Sequence, residues 1–175
     1  FRKRMAAKSF RTTYEYDKLI YNWFINKKVK ENNILKYGEN PDQNSFIENV
    51  HNKSIFKLQL SGKKISYNNI IDVDSGFKCL SEFSEPSCVI VKHTNPCGVS
   101  SSGKINMAYK KALDSDKKSS FGGVVLLNRK INIKLAKELS KHFFELVAAP
   151  DFEKEALKLL KLKKNLILLK LNKIK

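Results

Sequence analysis

The sequence predicts an α/β fold, a layered sheet with flanking helices, and three observations carry that expectation. Short apolar runs at Cys88–Val91, Val124–Leu127 and Leu146–Ala149 have the length and composition of buried strands. Between them lie longer segments whose apolar residues recur at steps of three and four, as an amphipathic helix requires. The two kinds alternate regularly, which favours a largely parallel sheet with helices on its faces.

Residues 5 to about 25 carry Tyr16, Ile20, Trp23 and Phe24 at helical spacing, with Phe10 and Tyr14 just before, predicting one amphipathic helix. An aromatic stripe of this kind is ordinarily a packing face. Lys27–Asn33 is polar and charged, the composition of a linker, and is the best candidate boundary in the chain. From Leu35 to Gln43, Gly38 and the Asn40-Pro41 pair exclude regular helix and central strand, so an ordered polar loop is expected. Ile55–Leu60 alternates apolar with polar residues and predicts a strand closed by Ser61-Gly62, with Lys63–Tyr67 as its hairpin partner.

Asn68-Asn69 is placed to cap a helix in which Ile70, Val73, Phe77 and Leu80 share a face, ending before Pro86. Cys88–Val91 is a strand that runs into two adjacent ionisable residues, Lys92 and His93. The pairs Asn95-Pro96 and Cys97-Gly98 then predict a turning loop. Asn106 to about Lys118 is helical, and Ser119-Ser120-Phe121-Gly122-Gly123 leads into the strand Val124–Leu127, ended by Asn128-Arg129-Lys130. Leu135, Leu139 and Phe143 mark a further helix, on which His142 would sit; His51 is assigned to the surface. Leu146–Ala149 is a strand closed by Pro150, Ala156, Leu159 and Leu160 mark another helix, and Leu166–Leu171 is a last strand.

A chain of 175 residues, 42% hydrophobic and 29% charged, can bury a respectable core. No apolar run approaches the roughly 20 residues that cross a bilayer, and Phe1-Arg2-Lys3-Arg4 lacks the features of a signal peptide. A cytoplasmic location is the default. Cys79, Cys88 and Cys97 are too few and too widely spaced for a disulfide scaffold and are read as reduced thiols. The net charge of +17 invites a nucleic-acid reading. Yet arginine occurs only at 2, 4, 11 and 129, and the lysines are scattered without aromatic interleaving, which favours a solvated lysine-rich surface. A nucleic-acid-binding module is the competing class of function. No methionine opens the sequence and its helical pattern is under way by residue 5, so a fragment of a longer protein, or a truncated gene product, is expected.

Histidine exchanges protons near neutral pH, and lysine offers a fixed positive charge, so Lys92 and His93 form a candidate base and electrostatic partner. A Lys-His pair in a loop is also common surface decoration. Pro96-Cys97 is not followed by a second cysteine, Ser100 standing three positions on, and no His-x-Glu occurs, which excludes a zinc-deaminase ligand set. Ser119–Gly123 could offer backbone donors to an anion or be a plain glycine turn. Neither a P-loop nor a dinucleotide fingerprint is present.

Several loops together resemble one known family. Leu35–Gln43 is similar to its Leu-Arg-Tyr-Gly-x-Asn-Pro-His-Gln motif, Ser66–Ile70 to its Ser-Tyr-Asn-Asn-(Ile/Leu) motif, and Val91–Gly98 to its Val-Lys-His-x-Asn-Pro-Cys-Gly motif. Ser119–Gly123, Ala149-Pro150-Asp151-Phe152 and the basic run Lys161–Lys164 match further features in the same order. The family is that of the bifunctional purine-biosynthesis enzymes, AICAR formyltransferase/IMP cyclohydrolase.

The resemblance implies a cytidine-deaminase-like sheet without catalytic zinc. Residues 1–26 would be the closing helix of the cyclohydrolase domain, 27–34 a linker, and 35–175 the first part of the formyltransferase domain. It implies transfer of a formyl group from the co-substrate 10-formyltetrahydrofolate to the 5-amino group of AICAR, in a homodimer when complete, with no nucleic-acid or membrane partner. Lys92 and His93 would be catalytic, Lys36, Tyr37, Asn69, Phe121 and Gly122 substrate-binding, and Glu145 on the folate side. Lys36 replaces the family's arginine and Asp42 its histidine; the first change turns a bidentate phosphate contact into a point charge and is expected to weaken binding. The chain alone is expected to be inactive, because residues that complete both sites lie outside it.

Overall fold

The computed structural model describes residues 1–25, 34–47 and 59–171. Within them the elements run α1 (Arg2–Phe24), β1 (Gln59–Ser61), α2 (Tyr67–Ser81), β2 (Ser87–Lys92), β3 (Asn95–Ser101) and α3 (Ile105–Ser115). There follow α4 (Lys117–Ser120), β4 (Val124–Leu127), α5 (Ile133–Ser140), β5 (Leu146–Ala149), α6 (Lys154–Lys161) and β6 (Ile167–Lys170). The expected linker Lys27–Asn33, His51 and the first part of the expected strand, Ile55–Leu58, lie outside the described residues.

One six-stranded sheet forms in the order β1-β6-β5-β4-β2-β3. Among the described residues only β4–β5 and β5–β6 are strands paired in parallel, while β1–β6, β2–β4 and β2–β3 are antiparallel. The sheet is therefore mixed rather than largely parallel. The cause is β3, a strand not anticipated from the sequence: following β2 in the chain and pairing with it at the edge of the sheet, it reverses the direction in which the chain re-enters the sheet as β4.

Alternate side chains of the central strands enter two cores. On one face Val89, Val91, Val124 and Leu126 pack with Val73 and Leu80 of α2. On the other, Ile90, Val125 and Val147 pack with residues of α3, α5 and α6 such as Ala112, Leu135 and Leu160. β2, β4 and β5 are buried on both faces, which explains why they read as unbroken apolar runs.

Several expectations are corrected. Lys63–Tyr67 is no hairpin partner of β1, whose partner is β6; instead Ile65 O accepts from Lys36 N at 3.0 Å and Tyr67 N donates to Tyr37 O at 3.3 Å. The cap of α2 is Ser66, whose hydroxyl accepts from Asn69 N while the Asn69 side chain accepts from Ser66 N, a reciprocal capping box. The helix expected from Asn106 to Lys118 breaks at Asp116, which caps α4 through Ser119 N. Phe143 and His142 lie beyond the end of α5.

The helix expected over residues 5–25 is α1, yet none of its residues is buried and Trp23 and Phe24 are each 70% exposed. The loop from Leu35 to Gln43 is ordered by Gly38 N donating to Gln43 O at 2.8 Å. Cys79, Cys88 and Cys97 are free thiols. Among the described residues no helix is long and apolar enough to cross a membrane.

Candidate active site

Because β2 runs against β4, β5 and β6, its carboxyl end lies beside their amino ends. Val91 pairs with Val124, and Val124 with Leu146. Lys92, the Phe121-Gly122 turn and Glu145 are thereby brought to one end of the sheet, and Glu145 N donates to Gly123 O at 3.0 Å. The turn after Ala149 lies at the other end. There Asp151 pairs with Lys170 at 2.8 Å and Lys130 at 3.5 Å.

The chain reverses after Lys92 in only two residues, His93 (φ 52°) and Thr94 (φ 63°), before Asn95 pairs back with Lys92. Asn95-Pro96 and Cys97-Gly98 do not form the turn but open β3. Their irregularity is absorbed as a bulge: Val91 faces Pro96 while Ile90 faces Gly98, leaving Cys97 unpaired between them. Left-handed backbone at histidine and at a β-branched threonine costs on the order of 1–3 kcal/mol each, strain of a kind concentrated at functional sites.

Polar groups around this turn form a connected set. The half-buried Lys92 donates from Nζ to Phe121 O at 2.8 Å. Gly122, at φ 73°, donates its N–H to Phe143 O at 2.8 Å, and the exposed rings of Phe121 and Phe143 lie 5.1 Å apart. Asn69, 3% exposed, donates from Nδ2 to Glu145 Oε2 at 3.0 Å, and Lys63 approaches the same oxygen at 3.5 Å. Lys36 lies with Nζ 5.2 Å from the Tyr37 ring, on the segment bonded to Ile65 and Tyr67 just before and at the start of α2.

Lys92 thus meets Phe121 directly, with Gly122 next in the same turn, Asn69 meets Glu145, and Lys36-Tyr37 joins them through the amino end of α2. His93 is exposed in the turn, and its side chain makes no hydrogen bond among the described residues. Sequence reasoning missed Asp72 and Ser75 of α2, which bind the turn: Thr94 N donates to Asp72 Oδ1 at 2.7 Å, and Ser75 Oγ donates to Thr94 O at 2.6 Å. Burial pushes the Asp72 carboxyl above its ordinary range, with the Glu145 charge adding to this; the Thr94 amide and the His93 charge pull it down. The available signal was spacing, since Asn69, Asp72 and Ser75 recur every three residues on one flank of the helix. Lys63 and Phe143 carried no comparable signal. Among the described residues no group of three or more His, Cys, Asp or Glu side chains is placed to hold a metal ion.

A mixed α/β sheet with ionisable groups gathered at one strand end defines the general class. The particular family comes from comparison: the model described as the AICARFT/IMPCHase bienzyme matches residues 1–175, and the chain belongs to that family. It is 47% identical over 185 residues to the bifunctional purine biosynthesis protein PurH of Thermoanaerobacter sp. (strain X514), covering 95% of this chain and 36% of that protein. Identity to the PurH of Listeria monocytogenes serotype 4a (strain HCC23) is 44% over 183 residues, covering 96% and 36%. The chain thus spans little more than a third of the length of these relatives. Among solved structures, RibD of Acinetobacter baumannii aligns at a TM-score of 0.43 with 15% identity, over 58% of this chain and 35% of that one. The dCMP deaminase of cyanophage S-TIM5 aligns at 0.43 with 9% identity, over 57% and 94%.

Proposed function

We propose that this chain is the formyl-transfer segment of a family bienzyme, moving a formyl group from 10-formyltetrahydrofolate to the 5-amino group of AICAR. The observation that carries the reading is the junction of Lys92, the residue before His93, with the Phe121-Gly122 turn at one strand end, beside the Asn69–Glu145 pair. Residues 35–175 are then the first part of the formyltransferase domain, and residues 1–26 the closing helix of the cyclohydrolase domain, joined by 27–34. The complete protein works as a homodimer, and the remaining substrate-binding groups come from outside this chain.

The amine of AICAR is a weak nucleophile, because its lone pair is delocalised into the imidazole. Its attack forms an N–C bond to the formyl carbon and a tetrahedral oxyanion; collapse breaks the C–N bond to folate. The proton leaving the amine must reach the departing folate nitrogen, and exposed His93 is the group able to take and return it, a role worth about 10²–10⁴ in rate. Lys92 spends one ammonium proton on Phe121 O, which leaves two donors for the oxyanion. Glu145 and Asn69 accept and donate on the folate and substrate sides. A Lys36→Arg change is expected to lower KM for AICAR by about 5-fold, on the order of one additional hydrogen bond.

The test is His93→Ala in the full-length protein: formyl transfer is expected to be abolished while ring closure to IMP continues. Equal loss of both activities would assign His93 to folding, and intact formyl transfer would overturn the reading.

A further inference from the structure

Two-residue hairpin turns with both central residues left-handed usually contain Asn-Gly or Asp-Gly, because glycine adopts that backbone without cost. Here the pair is His93-Thr94, without a glycine. Something outside the turn must hold it, and α2 does so at both backbone polar groups of Thr94: Asp72 Oδ1 accepts its N–H and Ser75 Oγ donates to its carbonyl. The helix is a rigid support, since its first turn is locked by the Ser66–Asn69 capping box and Val73, Gly76 and Leu80 are buried. Its Asn69 also holds Glu145. One helix therefore fixes both the turn and Glu145.

From this geometry we infer that Asp72 and Ser75 are positioning residues for formyl transfer, holding His93 in the left-handed turn from which it reaches the substrate. The inference rests on His93 being the proton-transfer group. Without the clamp the hairpin relaxes toward an unstrained turn and His93 moves away, while groups that only bind substrate stay in place. The loss should therefore fall on kcat more than on KM.

The experiment uses the full-length protein with Asp72→Ala, Asp72→Asn, Ser75→Ala and the double variant Asp72→Ala/Thr94→Gly. Asp72→Ala is expected to lower kcat for formyl transfer about 10- to 100-fold with KM little changed and ring closure unaffected. Ser75→Ala should act in the same direction. Asp72→Asn keeps an acceptor oxygen in place and should recover most of the rate, and Thr94→Gly should restore much of it by removing the strain. Exchange of the Thr94 amide proton, faster in Asp72→Ala but not in Asp72→Asn, reads the clamp independently of activity.

Wild-type kcat in Asp72→Ala, an Asp72→Asn variant as impaired as Asp72→Ala, or unchanged Thr94 exchange would each overturn the clamp. Should His93→Ala leave formyl transfer intact, the functional reading fails instead. Loss on His93→Ala with wild-type kcat in Asp72→Ala removes this inference alone.

Discussion

Asn69 Nδ2 donates to Glu145 Oε2 at 3.0 Å, tying the amino end of α2 to the start of β5 across 76 residues of sequence. The other end of the amide is committed too, since Oδ1 accepts from Ser66 N at 3.2 Å and Ser66 Oγ at 2.9 Å. Asn69→Ala removes both sets and is expected to cost about 1–3 kcal/mol in a denaturant titration. Asn69→Asp keeps the capping oxygen but sets a second carboxylate against Glu145, and Glu145→Gln should recover part of that loss. A coupling energy near zero in the double-mutant cycle would show that the cross-link contributes nothing.

Gly98 lies on β3 where α3 crosses it, and a Cβ there would run into the backbone carbonyl of Ala112. Backbone yields less readily than a side chain, so Gly98→Ala should destabilise by about 3 kcal/mol. At Gly76 the obstruction is the Leu126 side chain, with Val91 Cγ2 at 2.9 Å, and repacking makes the change milder. Gly103 has no heavy atom within 4 Å of its would-be Cβ. Thermal unfolding of the three alanine variants should rank them Gly98, Gly76, Gly103 in falling order of damage. Equal shifts would contradict this packing.

The strands buried on both faces were legible because burial demands unbroken apolar runs; Val124–Leu127 and Leu146–Ala149 are found at their expected bounds. β3 was not, for a physical reason. It is an edge strand carrying Pro96, a bulge at Cys97 and exposed residues, so it shows neither alternation nor an apolar run. Missing it also hid the mixed direction of the sheet. In the site, Lys92 and His93 stand out by chemistry. The residues that hold their turn do not, because Asp72 and Ser75 act through hydrogen bonds formed only once helix and hairpin meet.

At the opposite end of the sheet, the hydrogen bond from Lys170 holds the Asp151 carboxyl below the usual carboxylate range, with Lys130 acting in the same direction. The folded state thus releases this proton more readily than the unfolded state. The stabilisation is present above the unfolded pKa, about 3.9, and is lost as pH falls through the lower folded value. Wild type should exceed Asp151→Asn in stability at neutral pH, and the gap should close in acid. Added salt should narrow it as well, because the ion pairs are about half exposed. A gap that widens in acid would reverse the assignment.

Tyr109 of α3 is buried, its ring edge-on to Phe144 at 6.4 Å, and its hydroxyl has no partner among the described residues. Burial pushes the phenol well above its ordinary range, with Cys88 and Glu138 acting the same way, so it stays neutral at any working pH. A buried hydroxyl without a partner costs desolvation and returns no bond. Tyr109→Phe keeps the ring packing and removes only that cost, so the protein should unfold at an equal or higher denaturant concentration, by up to about 1–3 kcal/mol. Tyr109→Ala empties the site and should cost about 3–5 kcal/mol, as for other large aromatic truncations. If Tyr109→Phe instead destabilises by more than about 1 kcal/mol, the hydroxyl is bonded in solution, and an internal water between α3 and the sheet becomes the required partner.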